Sequence, residues 1–507
     1  MTPSAKAFRV GKASRGLILG KPLLPPTTSL PDCSAKQNEG VCHSIAILGL
    51  ASIVPAMSFK MARLSMATHG MAVLQCEIPS ANQKSRDLLF PLCVLSGFRG
   101  GPSMNSSKSD TIFRALDHFR IEIPSWGFAN TGTRFGKFLQ AAAATTTEEK
   151  FSDAGKVHSL TGMCPTIALH VLWDLPDGIE SVVDIQNFSK RFGVQPGSIN
   201  PNLFQDQEYK HGSFGNPDPD VRARALQHTK DSIEIARRLH SRDLSLWFAD
   251  GSSYPGTANI RQRKTWFEDA LKQVHACLSP EQRLLVEYKP FEPAVYHTDI
   301  ADWGMALHLA RCAGPQAKVL VDTGHHYLSQ NIEQIVAWLL SEQMLGGFHF
   351  NDRRYADDDL TVGSVDPYQV FRIFHEILYY EWETKGEPDI AYMIDQSHNL
   401  KGKIEETIQT VTVAQQLFAK AALVDHGALS QAQAKCDLVR AESLLQDAFN
   451  TDVRPVIQQW RDSKGLPRDP LKALLESGYI GRITKERSSR NLNSVSSYAS
   501  RPLPGAR

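Results

Sequence analysis

The sequence predicts an α/β fold, a (β/α)8 TIM barrel with a helical C-terminal extension and a poorly ordered N-terminal leader. Three observations lead there. Eight short apolar or β-branched runs recur between residues 119 and 396, separated by longer segments with few helix breakers, and strands alternating with helices build a parallel sheet. Eight alternations over roughly 300 residues suit a closed barrel better than an open sheet. The G-x-G-x-x-G of a dinucleotide-binding open sheet is missing after the first run.

In order, the runs are residues 119–124 (FRIEIP), 166–173 (TIALHVLW), 192–200 (FGVQPGSIN), 243–250 (DLSLWFAD), 283–290 (RLLVEYKP), 318–324 (KVLVDTG), 347–352 (GFHFND) and 390–396 (IAYMIDQ). The third is the weakest, because Pro196 and Gly197 suit a strand poorly. Residues 220–240 show the helical counterpart, with Ala223, Leu226, Ile233, Ile235, Ala236 and Leu239 in a stripe near the 3.6-residue period. After the eighth run, residues 404–423 read as a helix and 430–461 as one or two more, packed on the barrel or on another subunit. Residues 487–507 are Ser-rich without apolar period. The expected domains are a leader over 1–109, the barrel over 110–425, a helical extension over 426–485 and a disordered tail over 486–507.

Composition excludes several classes. The 507 residues are 42% hydrophobic and 21% charged, an ordinary globular mixture. A net charge of +1 offers no overall field for nucleic acid or an anionic membrane. That total hides an asymmetry: residues 1–109 carry 12 basic and 4 acidic side chains, against 43 and 50 from Asp110 onward. Five basic residues precede the first acid, Asp32, in a Ser- and Pro-containing stretch that fits an organellar transit peptide, or else an upstream start with Met57, Met61, Met66 or Met71 as later ones. The longest apolar run, 45–57, is broken by Ser52 and Pro55 and is too short for a membrane span. Eight cysteines without a C-x-x-C indicate neither a disulfide framework nor a zinc ribbon. A cytoplasmic protein is expected, with mitochondrial or plastid targeting if the leader acts as an address.

Working residues of such a barrel sit at the carboxyl ends of its strands. The last four runs all end in metal-ligand chemistry. The fifth holds Glu287 and Lys289, the sixth Asp322 and His325, the seventh His349 and Asp352, the eighth Asp395; between the last two lies Asp357-Asp358-Asp359. Singly, each has an ordinary reading. A buried strand carboxylate is more often an ion-pair partner than a ligand, His349 between Phe348 and Phe350 suits a core histidine, and acidic runs are usually solvated faces. Together, three carboxylates and a histidine meet at one mouth, where they would repel unless a cation sat among them. Oxygen and imidazole donors without thiolate point to Mn²⁺, Mg²⁺ or Co²⁺, with Zn²⁺ as a further choice. His325, Asp357 and Asp359 supply enough further donors for a second ion. Lys289 follows Glu287 at the period of two and faces the same side, either to hold a substrate oxygen or as a counter-ion. Trp126, His170, Trp173 and Trp247 offer aromatic walls or ordinary core packing. No P-loop, G-x-S-x-G or H-E-x-x-H is present.

Residues 121–138 (IEIPSWGFANTGTRFGKF), 287–296 (EYKPFEPAVY), 321–326 (VDTGHH), 346–360 (GGFHFNDRRYADDDL), 393–399 (MIDQSHN) and 422–430 (ALVDHGALS) resemble the metal-dependent L-rhamnose isomerase family, a branch of the xylose-isomerase-like barrels. The resemblance covers residues 112–485. It implies a structural metal on Glu287, Asp322, His349 and Asp395, and a second, catalytic metal on His325, Asp357 and Asp359. It also implies Lys289, His170 and Asp395 as the catalytic set, with Lys289 and His170 touching sugar oxygens and Trp126 and Trp247 lining the pocket. Phe135 matches the residue that reaches a neighbour's site in a homotetramer. The cofactors expected are two divalent ions, Mn²⁺ foremost, and the partner a small sugar. Leu172 departs from the family's HIPW pattern, with leucine in place of proline. The implied activity is interconversion of L-rhamnose and L-rhamnulose. Isomerisation of another aldose, ketose 3-epimerisation and an inactive sugar-binding barrel are the alternatives.

Overall fold

The computed structural model describes residues 106–130, 139–292, 296–355, 357–397 and 400–493. The leader up to residue 105 and Phe135 lie outside the described residues.

Eight parallel strands close into a barrel. They are β1 (Glu122–Pro124), β2 (Thr166–His170), β3 (Gln195–Asn200), β4 (Asp243–Leu246), β5 (Arg283–Glu287), β6 (Ala317–Asp322), β7 (Leu345–Phe350) and β8 (Ala391–Ile394). Each overlaps one of the eight expected runs. Helix α1 (Ser106–His118) precedes β1. Helices α2 (Thr147–Thr161), α3 (Val182–Phe192), α4 (Pro219–Arg238), α5 (Ile260–His275), α6 (Trp303–Ala313), α7 (Ile332–Ser341), α8 (Pro367–Thr384) and α9 (Lys403–Ala421) follow β1 to β8 in turn. Among the described residues no helix is long and apolar enough to cross a membrane.

Local sequence explains these elements. Helix α4 starts where Asp218 accepts a hydrogen bond from the Asp220 N–H at 2.9 Å, with Pro219 in its first turn, satisfying a donor the helix leaves free. Its buried stripe runs through Val221, Ala225, Thr229, Ile233 and Ala236. The expected stripe is therefore misplaced in its first half, where Ala223 is exposed. The doubtful third run is a strand for a specific reason. A Cβ on Gly197 would lie 1.7 Å from Glu122 Oε2, so glycine makes room for the Glu122 carboxylate, which accepts from Ser198 N at 2.9 Å and Ser198 Oγ at 2.6 Å. Strand β3 meets β4 in register only at Ile199 and Leu244, so the N–H that Pro196 lacks breaks no bond there.

The barrel interior is layered. At the floor, Arg283 Nε pairs with Asp243 Oδ1 at 2.7 Å. In the middle, Leu285, Leu320 and Met393 form a fully buried apolar cluster. Two residues further along the same strands come Glu287, Asp322 and Asp395, as the period of two requires. The larger core lies outside the strands, where for example Phe119 stacks on Phe418 of α9 at 4.0 Å.

Five further helices follow: α10 (His426–Ala434), α11 (Leu438–Asn450), α12 (Arg454–Ser463), α13 (Pro470–Glu476) and α14 (Tyr479–Asn493). They pack back on the barrel. Trp460 donates to Asp117 of α1 at 2.9 Å, and Arg487 pairs with Asp153 of α2 at 2.7 Å. Helix α14 therefore continues past residue 486, where a disordered tail was expected, because Arg487 and Asn491 are buried against α2 and the backbone of residues 141–143.

Candidate metal centre at the barrel mouth

Glu287 ends β5, Asp322 ends β6, His349 lies in β7 and Asp395 follows β8. One ligand atom from each falls within 4.8 Å of all the others. His349 Nδ1 is 3.3 Å from Glu287 Oε1, 3.8 Å from Asp395 Oδ2 and 4.0 Å from Asp322 Oδ2. Sheet register creates this meeting, since Asp322 opposes His349 across the β6–β7 pair.

The remaining donors stand beside this group. His325 Nε2 is 3.0 Å from Asp357 Oδ1 and 3.9 Å from Asp322 Oδ2, and its Nδ1 is 3.0 Å from the Tyr288 carbonyl. Lys289 Nζ lies 2.5 Å from the other Asp357 oxygen and 2.9 Å from Glu292 Oε2. Asp359 accepts from Ser397 Oγ at 3.1 Å. Asp357 and Asp359 both adopt left-handed backbone, with φ of 52° and 48°, a conformation aspartate visits more readily than most residues. That alternation brings their carboxylates to the mouth cavity. Asp358 instead accepts from the backbone N–H groups of Arg354 and Tyr355.

So many carboxylates in one buried place conflict electrostatically. Burial, joined by Glu287 and Asp395, drives Asp322 up to about 7 despite His325 beside it. Burial and the neighbouring Asp357, Asp395 and Asp322 push Asp359 well above the usual carboxylate range. Burial alone would lower His325 and His349, but the surrounding carboxylates outweigh it and lift them to about 10 and about 9. Burial opposes ionisation of Asp357, yet His325 and Lys289 hold it well below its ordinary value. The donor set fits a divalent cation: three carboxylates and an imidazole, free of thiolate, around one point, with surplus negative charge that an ion would offset.

Two hydrogen-bond partners orient these ligands. Trp126 donates its indole N–H to Asp395 Oδ1 at 2.8 Å. Asn351 Nδ2 donates to Asp322 Oδ1 at 3.0 Å and to the Asp395 carbonyl at 3.1 Å. Asn351 went unnoticed in the sequence, although its position two residues after His349 puts it on the same strand face. Asp352, in contrast, turns away and accepts from the N–H groups of Val365 and Asp366 at 2.7 and 3.0 Å.

Glu287, His349 and Asp395, with His325, Asp357 and Asp359, line a cavity of about 190 Å³, and Asp322 is buried beneath it. Its far wall is aromatic. His170 stacks on Trp173 with centroids 3.9 Å apart, Trp126 meets His170 edge-on at 5.9 Å, and Phe204 bridges towards Trp247 at 4.9 Å. Lys289 Nζ sits 5.2 Å from the Trp247 ring centroid. Burial lowers His170 to about 4, so the ring is neutral at physiological pH. Phe204, Asn200 and Ser245 also line the cavity, and nothing in their local sequence pattern marks them. Leu172, beside this wall, takes φ 80°, which a proline ring forbids. A proline in this position could not adopt the turn that Leu172 makes.

Residues 170–403 match the family of the xylose isomerase-like TIM barrel. A probable sugar isomerase of Mesorhizobium japonicum is 37% identical over 383 residues, which is 75% of this chain and 88% of that protein. A probable sugar isomerase of Rhizobium meliloti is 35% identical over the same shares. The xylose isomerase of Thermus thermophilus is 28% identical over 183 residues, 34% of this chain and 46% of that protein. Extended similarity to the first two and a closed eight-stranded barrel agree that this chain belongs to the xylose isomerase-like TIM-barrel family.

Proposed function

We propose that this chain is a metal-dependent aldose–ketose isomerase that interconverts L-rhamnose and L-rhamnulose, using two divalent cations, Mn²⁺ foremost among Mn²⁺, Co²⁺, Mg²⁺ and Zn²⁺. The observation that carries the reading is the convergence of Glu287, Asp322, His349 and Asp395, of which Glu287, His349 and Asp395 line a cavity shared with Lys289 and aromatic rings. Relatives named as sugar isomerases support the reaction class. Glu287, Asp322, His349 and Asp395 would hold one ion, and His325, Asp357 and Asp359 the second. Bound there, divalent cations supply Lewis-acid polarisation of sugar oxygens.

The chain's own groups do the rest. Lys289 stabilises negative charge developing on the substrate oxygen while hydrogen moves between C1 and C2. Neutral His170 exchanges a hydrogen bond with a sugar oxygen, and Asp395, fixed by Trp126, completes the catalytic set. The cavity is polar at one end and aromatic at the other, through Trp126, Trp173, Phe204 and Trp247. This polarity suits a 6-deoxy sugar, whose methyl group favours an apolar wall. A homotetramer in which Phe135 completes a neighbour's pocket, and a cytoplasmic or organellar location set by the leader, belong to the same reading.

The test is to strip the purified full chain with chelator and assay L-rhamnose isomerisation with and without Mn²⁺, then repeat it with other aldoses. Rhamnulose formed only with metal, and lost in Asp322→Asn, is the expected result. Activity indifferent to metal overturns the metal-dependent reading. A different aldose turned over faster overturns the substrate, and a C3 epimer as sole product overturns the reaction.

A further inference from the structure

Away from the mouth, Glu268 of α5 and His308 and Cys312 of α6 bring one donor atom each to a common point. His308 and Cys312 are four residues apart, hence on one helix face. His308 Nε2 is 2.7 Å from Glu268 Oε1, Cys312 Sγ is 3.7 Å from that same oxygen, and Sγ is 3.7 Å from that same nitrogen. An acid–base relay would offer one ring nitrogen to the carboxylate and the other to the thiol. Here Nε2 alone addresses both, so the three atoms form a triangle, as around a metal.

The triangle has the right size. With Zn–S near 2.3 Å and Zn–N and Zn–O near 2.1 Å, tetrahedral apices lie about 3.6 Å apart from sulfur to either light atom and about 3.4 Å apart from nitrogen to oxygen. Two sides already match, and the third opens by about 0.7 Å when a metal replaces the His308–Glu268 hydrogen bond. Lys264 Nζ, 2.5 Å from Glu268 Oε1, must leave that oxygen; its side chain is 55% exposed and free to swing. His308 is half-exposed, which leaves the fourth position to water.

We infer that Glu268, His308 and Cys312 form a second, peripheral site for a Zn²⁺-class cation on the outer wall of the barrel. Its thiolate separates it from the oxygen-and-imidazole mouth, because soft ligands select Zn²⁺ over Mn²⁺ or Mg²⁺. An ion there staples α5 to α6, the helices that follow the strands leading to Trp247 and to Glu287 and Lys289.

The probe is Co²⁺ added to the reduced, metal-stripped full chain. Among the described residues the mouth holds no thiol, so a thiolate-to-cobalt charge-transfer band in the near ultraviolet reports a site outside it, and the Cys312→Ser variant assigns that band to the peripheral site. The band is expected in the wild type, absent in Cys312→Ser, retained in Cys277→Ser and Cys436→Ser, and bleached by one equivalent of Zn²⁺ beyond that taken by the mouth. Glu268→Gln and His308→Gln are expected to weaken Co²⁺ binding at this site at least about tenfold. Isomerase activity of Cys312→Ser should equal that of the wild type. As a measurement free of variants, Zn²⁺ should protect Cys312 from alkylation, read by mass spectrometry. Absence of the band from the wild type, its survival in Cys312→Ser, or equal alkylation with and without Zn²⁺ overturns the site.

Discussion

The indole N–H of Trp126 is bonded to Asp395 Oδ1 at 2.8 Å, joining the end of the first strand to the ligand that follows the last. The closure of the barrel is thus also a ligand-orienting contact. In Trp126→Phe the ring stays and the donor goes. Mn²⁺ affinity of the stripped chain should fall about tenfold or more, with unchanged circular dichroism. Calorimetric titration measures it, and an unaltered Kd would show that Asp395 needs no such support.

The metal-free chain should become less stable as pH rises. His325 and His349 have folded-state values of about 10 and about 9, above the unfolded value near 6.5, so their stabilisation is complete below about pH 6.5 and lost by about pH 10. Asp322, raised to about 7, acts in the same direction, since its ionisation between about pH 4 and 7 costs stability. Each histidine contributes a slope of up to ~1.4 kcal/mol per pH unit. Mn²⁺ should flatten the profile, because ligation requires neutral imidazole. Thermal melts from pH 6 to 10, with chelator or with Mn²⁺, compare the two slopes; equal slopes contradict the expectation.

Lys289→Gln keeps a hydrogen-bonding side chain but removes the charge. On the proposed role, kcat falls about 10²- to 10³-fold while KM shifts far less, in steady-state kinetics with L-rhamnose. A change confined to KM would assign Lys289 to binding alone.

Arg487 and Asp153 are 3% and 1% exposed, and burial raises Asp153 to about 6 even with its partner present. Arg487→Met should cost about 3–5 kcal/mol, because it leaves a buried carboxylate unpaired. Adding Asp153→Asn should recover much of that loss in urea denaturation. If the double variant is no more stable than the single, the pair is not what docks α14.

Gly197→Ala sets a methyl group into the space of the Glu122 carboxylate and should destabilise the chain by about 1–3 kcal/mol. Gly193→Ala, whose Cβ would meet nothing within 4 Å but whose φ is 73°, separates backbone strain from crowding in the same denaturation assay.

Much of the barrel was legible because alternation survives in the residues themselves. The ligand line was legible for the same reason: Leu285 and Glu287, or Met393 and Asp395, share a face by parity, so a carboxylate after an apolar inward residue announces the mouth. Parity also explains why Asp352 belongs elsewhere and Asn351 inside. The turn of residues 357–359 was hidden, because left-handed backbone at alternate aspartates has no periodic signature. The end of α14 was hidden too. Its helix is held by Arg487 reaching a carboxylate more than 300 positions earlier in the chain, which no local window contains. The same holds for Glu268 beside His308 and Cys312, where the pair on one helix is readable and the third donor is not.

The apolar layer of Leu285, Leu320 and Met393 has a bearing on traffic. It works as a stopper between the ion-paired floor and the ligand-lined mouth, so the barrel axis is shut beneath the carboxylates. A molecule seated on the carboxylates therefore leaves on the mouth side of the barrel and not through its bottom.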